Sequence, residues 1–157
     1  SEGQLNVARM ALTVDGEPAP VALFADGPVL EDDDVVLFYA AWDEQSVFAV
    51  EAADQPMRFT VVDAAPEQGE GETAYAVAED GRAAFESGPD TARALVMGFE
   101  SDRLHVLDVS QPAQPVYLCN AALVQADSGR WAAYLSYRPE QPAACLAVED
   151  AAVPVAH

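Results

Sequence analysis

The chain has 157 residues, and its 27 acidic residues against seven arginines and no lysine give a net charge of −20. A charge this negative repels nucleic acid and anionic lipid, which excludes both as favoured partners. No run of roughly 18 apolar residues is present that could insert into a membrane, and the length suits one mid-sized domain or two small ones.

The N-terminal part of the chain predicts short strands separated by turns. Residues 5–14 predict an opening strand that ends at Asp15-Gly16, a dipeptide typical of two-residue hairpins, and residues 21–24 are the expected partner strand. Residues 35–42 form the most apolar run of the chain, which favours a central strand buried on both faces. Two more strands are predicted at residues 46–51 and 57–62.

A segment rich in proline, glutamate and glycine, residues 63–73, interrupts this pattern. Such a composition is typical of a mobile, solvated loop. The sequence therefore indicates one compact β unit over residues 1–157, with two lobes at residues 1–62 and 74–157, hinged at the acidic loop, as the alternative.

Strand and turn signals continue through the C-terminal part. Asp80-Gly81 offers a second hairpin turn, and Asp127-Ser128-Gly129 offers a third. About a dozen short strands with turns roughly every 8–12 residues predict an all-β fold, an antiparallel β-sandwich of the Ig-like or jelly-roll-like kind. The strands predicted in this part are residues 75–78, 82–86, 92–99, 104–107, 116–118, 121–125, 131–137 and 144–148.

The two cysteines, Cys119 and Cys145, fall in different predicted strands. As a disulfide they would close a loop of about 25 residues and stabilise the fold by roughly 3 kcal/mol. A pair of buried thiols is the alternative. An even number of cysteines is compatible with an oxidising compartment without requiring one.

His105 and Cys119 are the candidate base and nucleophile of a small Cys/His hydrolase. The sequence contains no Gly-x-Ser-x-Gly, His-Glu-x-x-His or lysine-containing phosphate-binding motif. His105 stands in the middle of a predicted strand, which favours a histidine on the surface of a strand over a catalytic one.

An acidic run that contains Asp32, Asp33 and Asp34 could bind Ca²⁺ through carboxylate oxygens. Ca²⁺ requires about six to eight oxygen ligands in a defined geometry. EF-hand spacing is absent from the run, so a solvated turn is the favoured interpretation, and no other cofactor is expected.

Four aromatic residues lie near the ends of predicted strands and are candidates for a binding surface. Clustered on one exposed face, they would bind carbohydrate or protein. Packing of these side chains in the core is the favoured interpretation, and a binding surface is the alternative. These residues are Tyr39, Trp42, Trp131 and Tyr134.

Two ordered patterns of turn and strand residues stand out from the rest of the chain. The first is Asp15-Gly16, Pro20, Asp26-Gly27, Asp34, Val36, Phe38 and Tyr39; the second is Gly98-Phe99, Ser101, Leu104, Val106, Asp108-Val109-Ser110, Pro112, Pro115 and Val116. Both resemble the non-catalytic, β-rich accessory regions of gingipain-type secreted cysteine peptidases. The resemblance implies a β-sandwich accessory or pro-region module. Neither His105 nor Cys119 stands in a catalytic motif of that family, so no catalytic residue is carried across.

Together with this resemblance, the sequence predicts an exported, non-enzymatic module that contacts another protein or the remainder of a larger surface protein. Its location would be secreted, periplasmic or at the cell surface, and the polar residues 1–4 would then follow a removed leader. A Cys/His hydrolase and a carbohydrate- or calcium-binding surface module are the alternatives.

Overall fold

The computed structural model describes residues 6–24, 27, 29, 35–111 and 113–154. Within them, strands form nearly all of the regular structure, and 3₁₀ turns at Val7–Arg9 and Asp150–Ala152 are the helical segments. The predicted all-β class is therefore confirmed. No helix in the described part of the chain is long and apolar enough to cross a membrane.

The chain divides into two compact units. Unit 1 comprises Ser1–Thr60 with Pro112–Pro115, and unit 2 comprises Val61–Gln111 with Val116–His157. The division falls just before the acidic segment, so residues 63–73 lie inside unit 2.

The part of unit 1 that the structure describes contains two small sheets. Its strands are β1 (Met10–Val14), β2 (Glu17–Ala19), β3 (Val21–Phe24), β4 (Val35–Phe38) and β5 (Phe48–Ala52). One sheet has the order β2-β1-β5, and the other pairs β3 with β4. Met10, Leu12 and Val14 alternate along β1 and form the core of the unit with Ala19 and Val21.

The Asp15-Gly16 turn forms, but its partner strand differs from the predicted one. Asp15 (φ 53°) and Gly16 (φ 84°) both have positive φ, as a type I′ turn requires, and the turn places Val14 opposite Glu17. The partner of β1 is therefore β2, whereas residues 21–24 pair with β4. The prediction was wrong because β2 contains Pro18, which an edge strand tolerates.

The prediction of a central strand at residues 35–42 was also wrong. β4 ends at Phe38, belongs to a two-stranded sheet and begins with Val35, which is half exposed. The apolar run instead supplies an aromatic cluster over the core of unit 1. The ring centroid of Phe48 lies 5.6 Å from that of Phe38 and 5.6 Å from that of Trp42.

Unit 2 is a β-sandwich whose two sheets share one core. Its strands are β6 (Thr60–Asp63), β7 (Glu72–Val77), β8 (Arg82–Ser87), β9 (Thr91–Phe99), β10 (Leu104–Asp108), β11 (Val116–Cys119), β12 (Ala122–Gln125), β13 (Trp131–Leu135) and β14 (Ala143–Glu149). The five-stranded sheet has the order β6-β11-β10-β14-β8 and the four-stranded sheet the order β12-β13-β9-β7. Val96 and Phe99 of β9 pack in the same cluster as Val106, Leu118 and Ala147 of the other sheet.

One strand pairing in unit 2 departs from the antiparallel prediction. β7 runs parallel to β9, so the four-stranded sheet is mixed. The Asp80-Gly81 turn after β7 passes to β8, which belongs to the other sheet, and the two strands meet at a bridge between Glu79 and Arg82. This turn therefore connects the two layers of the sandwich rather than two neighbours in one sheet.

The loop before β7 is tied to the sandwich by side chains. Arg93 donates to the carbonyl of Gly69 (2.9 Å), and Arg138 donates to the carbonyl of Glu70. The Ser136 hydroxyl accepts the N–H of Glu67 (2.8 Å). These bonds fix the main chain of the acidic segment at three points.

Candidate functional site

The outer face of the four-stranded sheet is apolar. The alternate alanines of β7 pack against the core, which turns Tyr75 and Val77 outward. Tyr75 lies opposite Leu95 of β9, which in turn lies opposite Tyr134 of β13, and Val77 lies opposite Met97. We call this surface the apolar face, and its residues are Tyr75, Val77, Leu95, Met97, Ala122, Val124 and Tyr134.

The apolar face is exposed and carries no acid. The exposed fractions are 68% for Tyr75, 65% for Val77 and 51% for Val124. Within these four strands, all of which the structure describes, the charged residues are Arg93 and Glu72, and Glu72 lies at the start of β7 opposite Thr91, outside the seven residues of the face. The face is thus distinct from the rest of a chain that has 27 acidic residues.

Local sequence explains why β7 presents these side chains. Residues 73–78 alternate small alanines with Thr73, Tyr75 and Val77, so the alanines fit against the core while the larger side chains face solvent. We predict only a short, weak strand here because alanine has little preference for strands. Tyr75 and Val77 are therefore not among the predicted site residues, although the period of two was present in the sequence.

The structure distributes the four predicted aromatic residues over different environments. Tyr134 lies on the apolar face, while Trp131 is half-buried against the core of unit 2. Trp42 packs on the core of unit 1, and Tyr39 is half-buried there with its N–H bonded to the carbonyl of Pro20 (3.2 Å). These residues belong to different units, and of the four only Tyr134 contributes to the apolar face.

The predicted calcium ligands Asp32, Asp33 and Asp34 lie outside the described residues, so this site stays a prediction. Among the residues that are described, no group of three or more His, Cys, Asp or Glu side chains is placed to hold a metal ion.

Two clefts in unit 2 are lined by polar groups that bond to the protein itself. A cleft of about 490 Å³ lies beside the Asp80-Gly81 turn. There the buried carboxylate of Glu149 accepts the N–H groups of Glu100 and Ser101 through one oxygen. A cleft of about 330 Å³ lies under the acidic loop, where Arg138 bonds to the loop main chain. The polar groups named in both clefts therefore have structural roles.

The two cysteines are free thiols in the structure. Cys145 faces the core from β14. Leu118 faces the same core from β11, so its neighbour Cys119 lies on the opposite face of the sheet, and β10 separates the two strands. Burial, together with the charge of Asp108, raises the pKa of the Cys145 thiol to about 12.

His105 lies between a phenol and a carboxylate. Its Nδ1 is 2.8 Å from the Tyr117 hydroxyl, and its Nε2 is 3.1 Å from Asp150 Oδ1. Burial, and then the charges of Cys119 and Asp150, raise the pKa of the Tyr117 phenol. His105 and Cys119 lie on the same face of the neighbouring strands β10 and β11, because Val106 and Leu118 face the core, and the Cys/His hydrolase stays a prediction.

The fold and the apolar face together define an all-β, two-unit chain with an exposed apolar sheet surface. Comparisons of the chain with models of protein families, with curated proteins and with solved structures find no match.

Proposed function

We propose that this chain is a non-enzymatic protein-binding module that contacts its partner through the apolar face. The observation that carries the proposal is the exposure of Tyr75, Val77 and Val124 on an acid-free sheet surface in a chain of net charge −20. Leaving apolar area in water costs about 25 cal/mol for each Å². A contiguous apolar surface on a protein is for this reason a common mark of a binding site.

The residue types of the face favour contact with protein. Tyrosine and methionine are enriched in the centres of protein interfaces, and charged residues are depleted there. Tyr75 and Tyr134 flank Leu95 in one cross-strand row, so two aromatic rings and their hydroxyl groups lie on the same patch. Such rings supply both apolar area and hydrogen-bonding groups to a partner.

The charge of the chain selects the chemistry of the partner. Glu72 begins β7 and Glu79 lies two residues beyond its end, and the whole chain is strongly negative. A partner whose apolar patch is bordered by Lys or Arg is attracted over long range. A second copy of the chain would bring another charge of −20 to the contact. We therefore assign the face to a basic-rimmed protein.

The resemblance to accessory regions of gingipain-type peptidases supports the same class of function. Such regions are non-catalytic modules of larger secreted proteins. That this chain is part of a surface or secreted protein, and that it is exported, are predictions of the same resemblance.

Photo-crosslinking in the cells that make the protein tests the proposal. One variant carries the crosslinking residue at position 75 and a second carries it at position 61. Val61 is 63% exposed and lies on β6 of the other sheet, which makes it a matched control. We expect a protein adduct from position 75 and none from position 61. Adducts from position 61 alone, from both positions equally or from neither would contradict the proposal.

The crosslinked protein, once purified, allows a second comparison. We expect Val77→Ser to weaken its binding by about tenfold. Val61→Ser, which removes the same apolar group from the other sheet, is expected to leave the affinity unchanged. Equal affinities of the two variants would refute a role for the apolar face.

A further inference from the structure

Within the described residues, no strand pairs with the side of β7 that faces away from β9. β7 is the last strand of the order β12-β13-β9-β7. The Ala78 N–H just beyond it donates to the carbonyl of Met97 in β9 (2.7 Å). Because main-chain groups of successive strand residues point to opposite sides, the N–H and C=O groups of Thr73, Tyr75 and Val77 point to the open edge.

From Ala74 to Val77 this edge lacks the features that commonly prevent strand pairing, and the irregularity in its pairing with β9 is a register shift between Glu72 and Thr73. Edge strands are protected by charged side chains, prolines, bulges or short length. Residues 73–78 contain no charged residue and no proline. In comparison, the edge strand β8 of the other sheet exposes Arg82 and Glu86, and the opposite edge strand β12 has four residues.

We infer that β7 accepts an additional strand from the partner protein. The inference rests on the proposed function and states how the partner is bound. Main-chain hydrogen bonds would join the added strand to Thr73, Tyr75 and Val77. Alternate side chains of that strand would lie beside Tyr75 and Val77 and extend the apolar face by one strand. Strand addition of this kind obtains affinity from the main chain and specificity from alternate side chains.

The acidic residues beside β7 favour an added strand that carries Lys or Arg among apolar residues. Glu72 stands at the start of β7, and Glu79 and Asp80 follow its end. In an antiparallel pairing of two copies centred on Tyr75, Glu72 of one copy would lie close to Glu79 of the other. Like charges that face each other across strands are destabilising, so the edge favours a basic segment over a second copy.

A synthetic peptide of alternating valine and lysine, about six residues long as in a typical strand, is the probe. Amide hydrogen exchange of the full chain is measured with this peptide, with a valine–glutamate peptide and with a lysine peptide interrupted by proline. We expect the lysine peptide to slow exchange at Thr73, Tyr75 and Val77 by about tenfold, and the other two peptides to have no effect. Absence of protection with the lysine peptide, or protection at β12 instead, would overturn the inference.

Variants at position 73 test the edge without changing the apolar face. Thr73→Pro removes an N–H that points to the open edge and leaves the bonds to β9 intact, whereas Thr73→Ala keeps that N–H and is the matched control. We expect Thr73→Pro to weaken the binding of the lysine peptide by about tenfold and Thr73→Ala to leave it unchanged. Thr73→Lys keeps the N–H and is expected to weaken binding by charge repulsion, which maintains the test if the proline variant does not fold.

The binding of the Val77→Ser and Thr73→Pro variants to the natural partner distinguishes the proposed function from strand addition. If Val77→Ser weakens binding to the crosslinked protein and Thr73→Pro does not, the apolar face stands and strand addition is refuted. If neither variant weakens it, the proposed function fails as well. Dimerisation of the chain that Thr73→Pro abolishes would assign the edge to a second copy and overturn the choice of a basic segment.

Discussion

The phenol of Tyr137 donates a hydrogen bond to Oδ2 of Asp108, whose carboxylate is buried at the end of β10. The other oxygen of Asp108 accepts the N–H of Ser110 (3.0 Å) and its hydroxyl. The Ser87 hydroxyl of β8 donates to the carbonyl of Tyr137. Through these bonds Tyr137, which follows β13, is joined to β10 by Asp108 and to β8 by Ser87.

We expect Tyr137→Phe to lower the free energy of unfolding of unit 2 by about 1–3 kcal/mol, because it removes one donor from a buried carboxylate. Tyr134→Phe, which loses a hydroxyl on the apolar face, is the matched control and is expected to change it by less than about 0.5 kcal/mol. Urea denaturation followed by the fluorescence of Trp131 measures both variants. A Trp42→Phe background leaves Trp131 as the single tryptophan. Equal losses in the two variants would refute a structural role for the Tyr137 bond.

High pH is expected to destabilise unit 2. The pKa of Tyr137 is raised above its usual 10 by burial first, then by the hydrogen bond and the charge of Asp108, and last by the charge of Cys145. The pKa of Cys145 rises from 9 to about 12. A raised pKa in the folded state contributes stability that is fully present below the unfolded pKa. It is lost as pH rises through the folded one. We expect the free energy of unfolding to fall above pH 9, by up to about 1.4 kcal/mol per pH unit for the buried Cys145 thiol and by less for Tyr137, whose interactions are partly screened by solvent.

The Cys145→Ala variant separates the thiol from the phenol in this pH dependence. Without the thiol, the decline is expected to begin near pH 10, where the phenol of an unfolded chain ionises. Cys119→Ala is the control and is expected to keep the onset near pH 9. The measurement is urea denaturation between pH 8 and pH 12, with pH values set about one unit apart. An onset that is the same in both variants would contradict the assignment to Cys145.

The strands of unit 2 were largely predictable, because their signals are local. β9 alternates between core and outer residues and was expected at residues 92–99, close to the observed Thr91–Phe99. Strand partners were less predictable, because they depend on contacts between residues far apart in the chain. The parallel pairing of β7 with β9 has no local signal, since nothing in residues 72–77 specifies the direction of a neighbour.

The candidate site was predictable in part for the same reason. Tyr134 was a candidate for a binding surface because aromatic residues are enriched at protein interfaces, although packing in the core was the favoured interpretation. Tyr75 and Val77 were missed, because only the sheet order places them beside Leu95 and Met97. The sequence also left the cysteine pairing open. Which face a cysteine occupies depends on the register of its strand, and a shift of one residue reverses it.

The Asp15-Gly16 and Asp80-Gly81 turns provide a matched test of turn geometry. Gly16 (φ 84°) has open space where a Cβ would lie, whereas a Cβ on Gly81 (φ 79°) would lie 2.9 Å from Oε2 of Glu149 and 2.9 Å from Cβ of Ala152. We expect Gly16→Ala to destabilise unit 1 by about 1–2 kcal/mol, the cost of a left-handed residue with a Cβ. Gly81→Ala is expected to destabilise unit 2 by more, because it adds the steric conflict.

The fluorescence of the two tryptophans measures these glycine variants separately. Trp42 lies in unit 1 and Trp131 in unit 2, so each reports its own unit when the other is replaced by Phe. A smaller loss for Gly81→Ala than for Gly16→Ala would show that the second turn relaxes without contact between the new methyl group and Glu149.

Thiol counting with an aromatic disulfide reagent tests the placement of the two cysteines. Cys119 is partly exposed and Cys145 is buried with a raised pKa, and the thiolate is the reactive form. We expect one thiol to react in the native protein and two in the unreduced protein after denaturation, and we expect Cys119→Ser to remove the native reaction. A count of zero after denaturation would indicate a disulfide. A bridge would require a different strand order as well as a change of face, because β10 separates β11 from β14 and strands two places apart lie about 10 Å from each other, too far for a disulfide.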